Sequence, residues 1–262
     1  MPTSGSQTPL RTLFLSDLHL GALGARADRL LDFLRTTPAD TYVLVGDVLD
    51  LWQPLLPNWG RDDQAVVDHL CGRLRDGARL VYLVGNHDPV PDRAPAGRRL
   101  PVAPQAEIVH EAADGRRFLV LHGDFVDSRL VRAHVVTRLG SRIDHTLRRA
   151  DRMLGALRRR TSGEARTTIG WLIGSVNDIL YARRSHERRI VALARARGLD
   201  GVICGHFHIA GLHEAHGLIY ANCGDWVDSF TALGERHDGT LCLLAHALGA
   251  ADAQGQPVLA EA

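Results

Sequence analysis

Short apolar runs alternate with polar, glycine-bearing turns along most of the chain. Thr12-Leu13-Phe14-Leu15-Ser16, Tyr42-Val43-Leu44-Val45 and Leu80-Val81-Tyr82-Leu83-Val84 are too short for helices and read as buried strands. Between the first two, Leu30, Leu31, Phe33 and Leu34 mark a helix over 26–35, with Pro38 just beyond it. A second helix is expected from Asp62 and Asp63, whose charges suit its positive end, through Arg75 to a stop at Gly77. Ile108-Val109 and Phe118-Leu119-Val120-Leu121 read as strands about a turn at Asp114-Gly115. Residues 202–204, 218–220 and 241–244 add three more. Strand, polar turn, helix, strand predicts an α/β protein whose ligands gather beyond the C-terminal ends of the strands.

The pattern changes between residues 129 and 197. Val136, Leu139, Ile143, Leu147, Ala150, Leu154 and Leu157 recur at spacings of three or four among arginines, which predicts a basic amphipathic helix. Gly163 interrupts it, and Ile169, Leu172, Ile173, Val176, Ile179 and Leu180 predict a second helix before Gly198. Charge sharpens the division. This stretch holds 17 Arg against 5 acidic residues, although the whole chain of 262 residues carries a formal charge of only +1. The expected organisation is a core of 11–128 and 198–246, an Arg-rich helical insert or lid at 129–197, and flexible ends at 1–10 and 247–262.

Other features narrow the class. A hydrophobic content of 45 % suffices for a core, and no apolar run approaches a membrane span. The first ten residues show no basic and apolar leader pattern. Cys71, Cys204, Cys223 and Cys242 are scattered without zinc-finger spacing, which fits reduced core thiols of a cytoplasmic protein. No Gly-x-Ser-x-Gly occurs, which disfavours a serine hydrolase.

Five strand ends carry the candidate chemistry: Asp17 with His19, Asp47, Asn86-His87-Asp88, His122, and His206 with His208. Alone, each fits a turn, a cap or a surface histidine. Together, Asp17, His19, Asp47, Asn86, His122, His206 and His208 form a set of two carboxylates, one amide oxygen and four imidazoles. A carboxylate can bridge two cations, and two metals about 3.5–4 Å apart suit in-line attack at phosphorus. Mixed oxygen and imidazole donors favour Mn2+, Fe2+ or Zn2+ over a soft thiolate metal.

The series Asp17-Leu18-His19, Gly46-Asp47, Gly85-Asn86-His87-Asp88, His122-Gly123-Asp124 and Gly205-His206-Phe207-His208 resembles the calcineurin-like metallophosphoesterase superfamily. Phe14 to Gly21, Val45 to Trp52 and Asn222-Cys223-Gly224-Asp225-Trp226-Val227 are similar to the UDP-2,3-diacylglucosamine hydrolases and their paralogues, as is a helical insert before Gly205. His87 stands where those hydrolases carry Arg; their paralogues share the His form.

The resemblance implies a four-layer αββα sandwich of two mixed sheets. It implies two divalent metal ions, with Mn2+ the first expectation. Asp17, His19, Asp47 and His208 would hold one, and Asp47 would bridge to another completed by Asn86, His122 and His206. A bridging hydroxide would attack phosphorus, with His87 as donor and Asp88 orienting it. The implied activity is hydrolysis of a phosphodiester or pyrophosphate bond in a nucleotide-linked or phosphorylated lipid. Residues 129–197 would then touch the substrate or the inner membrane face, with their apolar stripe on acyl chains and their arginines on phosphates. The other readings of that segment are a solvated helix pair and a nucleic-acid surface. With only Trp171 and Tyr181 available for stacking, the nucleic-acid reading is weaker. The rival functions are a nuclease or nucleotide phosphodiesterase and a non-catalytic metal-binding scaffold.

Overall fold

The computed structural model describes residues 9–22, 24–50, 58–88, 96–126, 185–246 and 260–261. The three leading apolar runs form parallel strands β1 (Leu10–Leu15), β2 (Ala39–Val45) and β3 (Arg79–Leu83). Two helices connect them, α1 (Ala27–Thr36) and α2 (Arg61–Arg75). The Asp63 carboxylate accepts the Gly60 N–H at the start of α2 and the Gly21 N–H from the turn after β1, which ties the two together.

A second sheet is built from β4 (Glu107–Glu111), β5 (Arg117–Leu121), β6 (Gly201–Cys204), β7 (Gly211–Ala215) and β8 (Leu218–Asn222). Its order is β4-β5-β6-β8-β7, with β5, β6 and β8 parallel and both edges antiparallel. Three late strands, β9 (Thr231–Glu235), β10 (Leu241–Ala245) and β11 (Ala260–Glu261), return to the first sheet. They complete the order β11-β10-β9-β1-β2-β3.

Alternation along the strands builds the layers. Leu13, Leu15 and Leu44 point to one face and pack with Leu30, Phe33, Leu34, Val66 and Leu70 of α1 and α2. Phe14, Val43, Val45 and Val81 point to the other and meet Phe118, Val120 and Ile203 of the second sheet. The far face of that sheet, with Leu119, Leu121 and Val202, is covered by Ile190, Val191 and Ala194 of a third helix, α3 (Ser185–Ala196). The result is the four-layer αββα sandwich.

Helix α3 lies in the stretch whose charge marks it as insert, yet it packs as core. Burying Ile190 and Val191 contributes about 1.5–3 kcal/mol each, whereas exposed arginine pairs add about 0–1 kcal/mol. The expected helices between 129 and 184 lie outside the described residues. Strand β11 falls in the expected flexible end 247–262, where its backbone pairs with β10 from Leu244↔Glu261 to Ala245↔Ala260. The free edge of β10 offers the unpaired backbone groups that such a segment needs.

Below the apolar layer between the sheets, the strand register aligns a polar row. Leu233, Phe14, Val43 and Val81 are neighbours across β9, β1, β2 and β3. Two residues earlier along β1, β2 and β3, the same faces carry Glu235, Thr12, Thr41 and Arg79. Glu235 is fully buried; it takes an ion pair from Arg11, the Ala113 N–H at 2.9 Å and the His110 ring at 2.7 Å. His110 belongs to β4, so this network clasps the two sheets together.

Burial alone would raise the Glu235 carboxyl. The His110, Thr12 and Ala113 hydrogen bonds outweigh it and lower the group from 4.5 to about 2. The stabilisation is therefore fully present above pH 4.5 and is lost as pH falls through about 2. Glu235→Gln should lower the thermal midpoint at pH 7, and its difference from the parent should shrink on acidification. A difference independent of pH would contradict this linkage.

Candidate metal centre

Each strand-end motif follows a parallel strand, so the layering itself brings the motifs together. Asp17 and His19 follow β1, Asp47 follows β2, and Asn86-His87-Asp88 follows β3. His122 follows β5, while His206 and His208 follow β6. Backbone hydrogen bonds stitch the turns to one another. Asp17 N–H donates to Gly46, His19 N–H to Asp47, and Leu20 N–H to Val48, at 2.9–3.1 Å. Gly205 N–H donates to His122, and Trp226 N–H to Asp17.

These turns adopt costly conformations. Asp17, His19, Asp47, His206 and His208 have φ of 54°, 47°, 51°, 67° and 55°. A left-handed non-glycine residue costs about 1–2 kcal/mol, so five together approach the net stability of a small domain. Only a surrounding structure that fixes them can hold such a cluster, and clusters of this kind mark functional sites.

Three ligand triads result: Asp17, His19 and His208; Asp47, His122 and His206; and His19, Asp50 and His87, which shares His19 with the first. Within each, the donor atoms lie within 4.8 Å of one another. Asp47 stands between the first two, its Oδ2 3.2 Å from His122 Nε2 and 4.0 Å from His19 Nε2. Asp17 Oδ1 is 3.2 Å from His208 Nε2 and 3.8 Å from His19 Nε2. Asp17 Oδ1, His19 Nε2, Asn86 Oδ1 and His122 Nε2 are buried without a hydrogen-bond partner. Buried polar atoms without partners are costly, and their convergence here fits bound cations.

The outward nitrogens of His122, His19 and His208 face partners. His122 Nδ1 meets the Val45 carbonyl at 2.9 Å. His19 Nδ1 lies 3.5 Å from Asp50 Oδ2, and His208 Nδ1 lies 3.8 Å from Asp225 Oδ1. A held Nδ1–H leaves Nε2 with its lone pair directed inward, as metal ligation requires. Asp225 is itself fixed by the Val227 and Asp228 N–H groups and the Ser229 hydroxyl.

Electrostatics follow from this crowding. Burial opposes ionisation of Asp17 and Asp47, yet the imidazoles of His208 and His122 hold both carboxyls below the ordinary range. Burial likewise opposes the charged His122 ring, and the Asp47 carboxylate overrides it, pushing it up to about 10. Against burial, the hydrogen bond His87 donates to Asp50 and the charges of Asp47 and Asp50 raise His87 to about 9.

The partner of His87 differs from the expectation. Its Nδ1 lies 3.3 Å from Asp50 Oδ2. Asp88, expected to orient His87, instead accepts the Val48, Leu49 and Gly85 N–H groups at 2.8–3.0 Å, clamping the turn after β2 to the turn after β3. Burial and the Asp47 charge raise the Asp88 carboxyl to about 6. Asp50 and Asp225 are the residues that strand-end motifs alone did not single out as part of the site. The Asp47-x-x-Asp50 spacing was the available signal for Asp50.

Gly85 sets how closely the two turns approach. A Cβ there would collide with Asp47 Oδ1 and its backbone nitrogen. Gly85→Ala should therefore displace Asp47 and weaken Mn2+ binding by roughly 10–100-fold with the fold retained. Calorimetric titration checks it, and unchanged affinity would contradict the close-approach argument.

No curated protein matches the sequence. Solved structures of similar course include Yfce, a phosphoesterase from E. coli, at 16 % identity over 89 % of this chain and 92 % of that one, TM-score 0.47. Wild-type Vps29 from Entamoeba histolytica, complexed with Zn2+, is 16 % identical over 95 % and 98 %, TM-score 0.44. A novel archaeal phosphodiesterase is 12 % identical over 88 % and 97 %, TM-score 0.43. The calcineurin-like phosphoesterase family matches residues 10–210, and the chain belongs to that family.

Proposed function

We propose that this enzyme hydrolyses a phosphodiester or pyrophosphate bond in a nucleotide-linked or phosphorylated lipid. The reading rests first on the two triads joined at Asp47. Asp17, His19 and His208 would hold one divalent cation and Asp47, His122, His206 and Asn86 another, with Mn2+ favoured by the mixed donors. Bound there, the cations would supply Lewis acidity toward phosphoryl oxygens and a water activated at neutral pH. His87 is positioned by Asp50, 3.3 Å from its Nδ1, so its ring can donate to a phosphoryl or leaving oxygen.

The lipid reading is supported by what borders the centre. Among the described residues four large apolar side chains are exposed, and three adjoin ligand turns: Val84, Phe125 and Ile209. They lie within three residues of Asn86, His122 and His208, respectively. An apolar border suits an acyl chain, and the arginines of 129–184 suit its phosphates. By its resemblance to the UDP-2,3-diacylglucosamine hydrolase group, the enzyme would work in the cytoplasm or against the inner membrane face. Among the described residues no helix is long and apolar enough to cross a membrane.

Two sets of variants test the reading. Asp47→Ala should lose bound metal and activity together. His87→Ala should keep both metals, measured by elemental analysis, and lose turnover of an aryl phosphodiester by roughly 10²–10⁴-fold. Metal loss in His87→Ala, or activity that survives chelation, would contradict the assigned roles. Phe125→Ser and Ile209→Ser should raise KM for a pyrophosphate-linked lipid and leave the water-soluble aryl ester unaffected. Equal effects on both would remove the lipid argument. Salt-dependent nucleic-acid binding lost on deleting 129–184 would favour a nuclease instead.

A further inference from the structure

We propose that Ser16, buried behind the metal centre, is a positioning residue for the cation of Asp17, His19 and His208: its hydroxyl pins the Asp17 carboxylate so that Oδ1 alone faces the ligand set. The inference rests on the two-cation reading above. Ser16 directly follows β1 and is fully buried. Its hydroxyl meets Asp17 Oδ2 and lies 3.1 Å from the Val45 carbonyl. A hydroxyl carries one hydrogen, and both neighbours are acceptors. The ionised carboxylate is the stronger acceptor, so Ser16 donates to Asp17.

The two oxygens of Asp17 have opposite surroundings. Oδ2 also accepts the His206 N–H at 2.8 Å. Oδ1 is buried without a hydrogen-bond partner, 3.2 Å from His208 Nε2 and 3.8 Å from His19 Nε2. With both donors on Oδ2, turning the carboxylate about its Cβ–Cγ bond would break both bonds at once. Oδ1 is therefore held toward the imidazoles. Asp47 shows the same division through a different donor: its Oδ1 accepts the His87 N–H at 2.7 Å, and its Oδ2 faces His122. Each carboxylate thus offers one oxygen, and single-oxygen ligation leaves cation positions open for a phosphoryl oxygen or water.

A serine kept only for packing would have no need of this arrangement. Gly205, which follows β6 in the other sheet, lacks a side chain where a Cβ would overlap Ser16 Oγ and crowd Asp17 Oδ2. Both sheets therefore leave room for one hydroxyl against one carboxylate. The Val45 carbonyl does not depend on Ser16, because His122 Nδ1 already meets that oxygen at 2.9 Å. Asp17 does depend on it. Loss of the hydroxyl should consequently be felt at the cation of Asp17, while His122, a ligand of the other cation, keeps its own anchor.

Calorimetric titration of the full chain with Mn2+, after removal of metal by a chelator, tests the role. The parent should show two dissociation constants, and His208→Ala identifies the one that belongs to the Asp17 triad. Ser16→Ala should raise that constant by roughly 10–100-fold, leave the other unchanged and keep the metal-free thermal midpoint close to the parent's. Ser16→Cys, whose thiol is a weak donor, should show a smaller loss at the same cation. Unchanged affinity at the Asp17 triad in both variants, or equal weakening at both cations, would overturn the proposal. A parent that takes up fewer than two Mn2+ would overturn the two-cation reading itself, and this inference with it.

Discussion

Asp17 and Asp47 are fully buried where two sheets meet, and the rest of the architecture answers to that burial. Removing an isolated carboxylate from water costs several kcal/mol even after relaxation, and two neighbouring ones also repel each other. The chain offsets this with imidazoles delivered from both sheets, three of them oriented by a carbonyl or carboxylate behind the ring. Cations between these groups would complete the neutralisation. The same demand explains why five residues accept a left-handed backbone: their side chains can converge only if the turns bend that sharply.

This view separates ligands from supports. Asp17, Asp47 and the inward imidazole nitrogens present unfilled coordinating atoms to one another. Asp88 and Asp225 are nearly as buried, but their oxygens engage backbone amides and a hydroxyl, while Asp50 turns Oδ2 to the His19 and His87 rings. They hold ligands and turns in place. Asp88 shows how misleading adjacency can be: it follows His87 in sequence, yet it faces the turn after β2, while Asp50 reaches the ring across the loop.

Much of the fold was legible because its strands are short, apolar and punctuated by motif turns. β1, β2, β3, β5, β6 and β8 all carry that signature, and they are the strands that deliver or brace the site. β7 and β9 were not foreseen. β9 reads Thr-Ala-Leu-Gly-Glu, with little β propensity, and is a strand because Gly234 lets Leu10, Leu244 and Cys242 close around it. β7 is an edge strand containing His213 and Glu214, too polar to stand out. The polar row of Glu235, Thr12, Thr41 and Arg79 was invisible for another reason: it exists only in the register between strands distant in sequence. The donor set was legible because each ligand closes its own strand, whereas the Asp50–His87 pair depends on the path of a loop.

Anomalous X-ray diffraction from crystals grown with Mn2+ would test the two-cation centre most directly. Two peaks are expected, one among Asp17, His19 and His208 and the other among Asp47, Asn86, His122 and His206, with the Asp47 carboxylate touching both. A single peak, or density centred away from Asp47, would contradict the two-cation site.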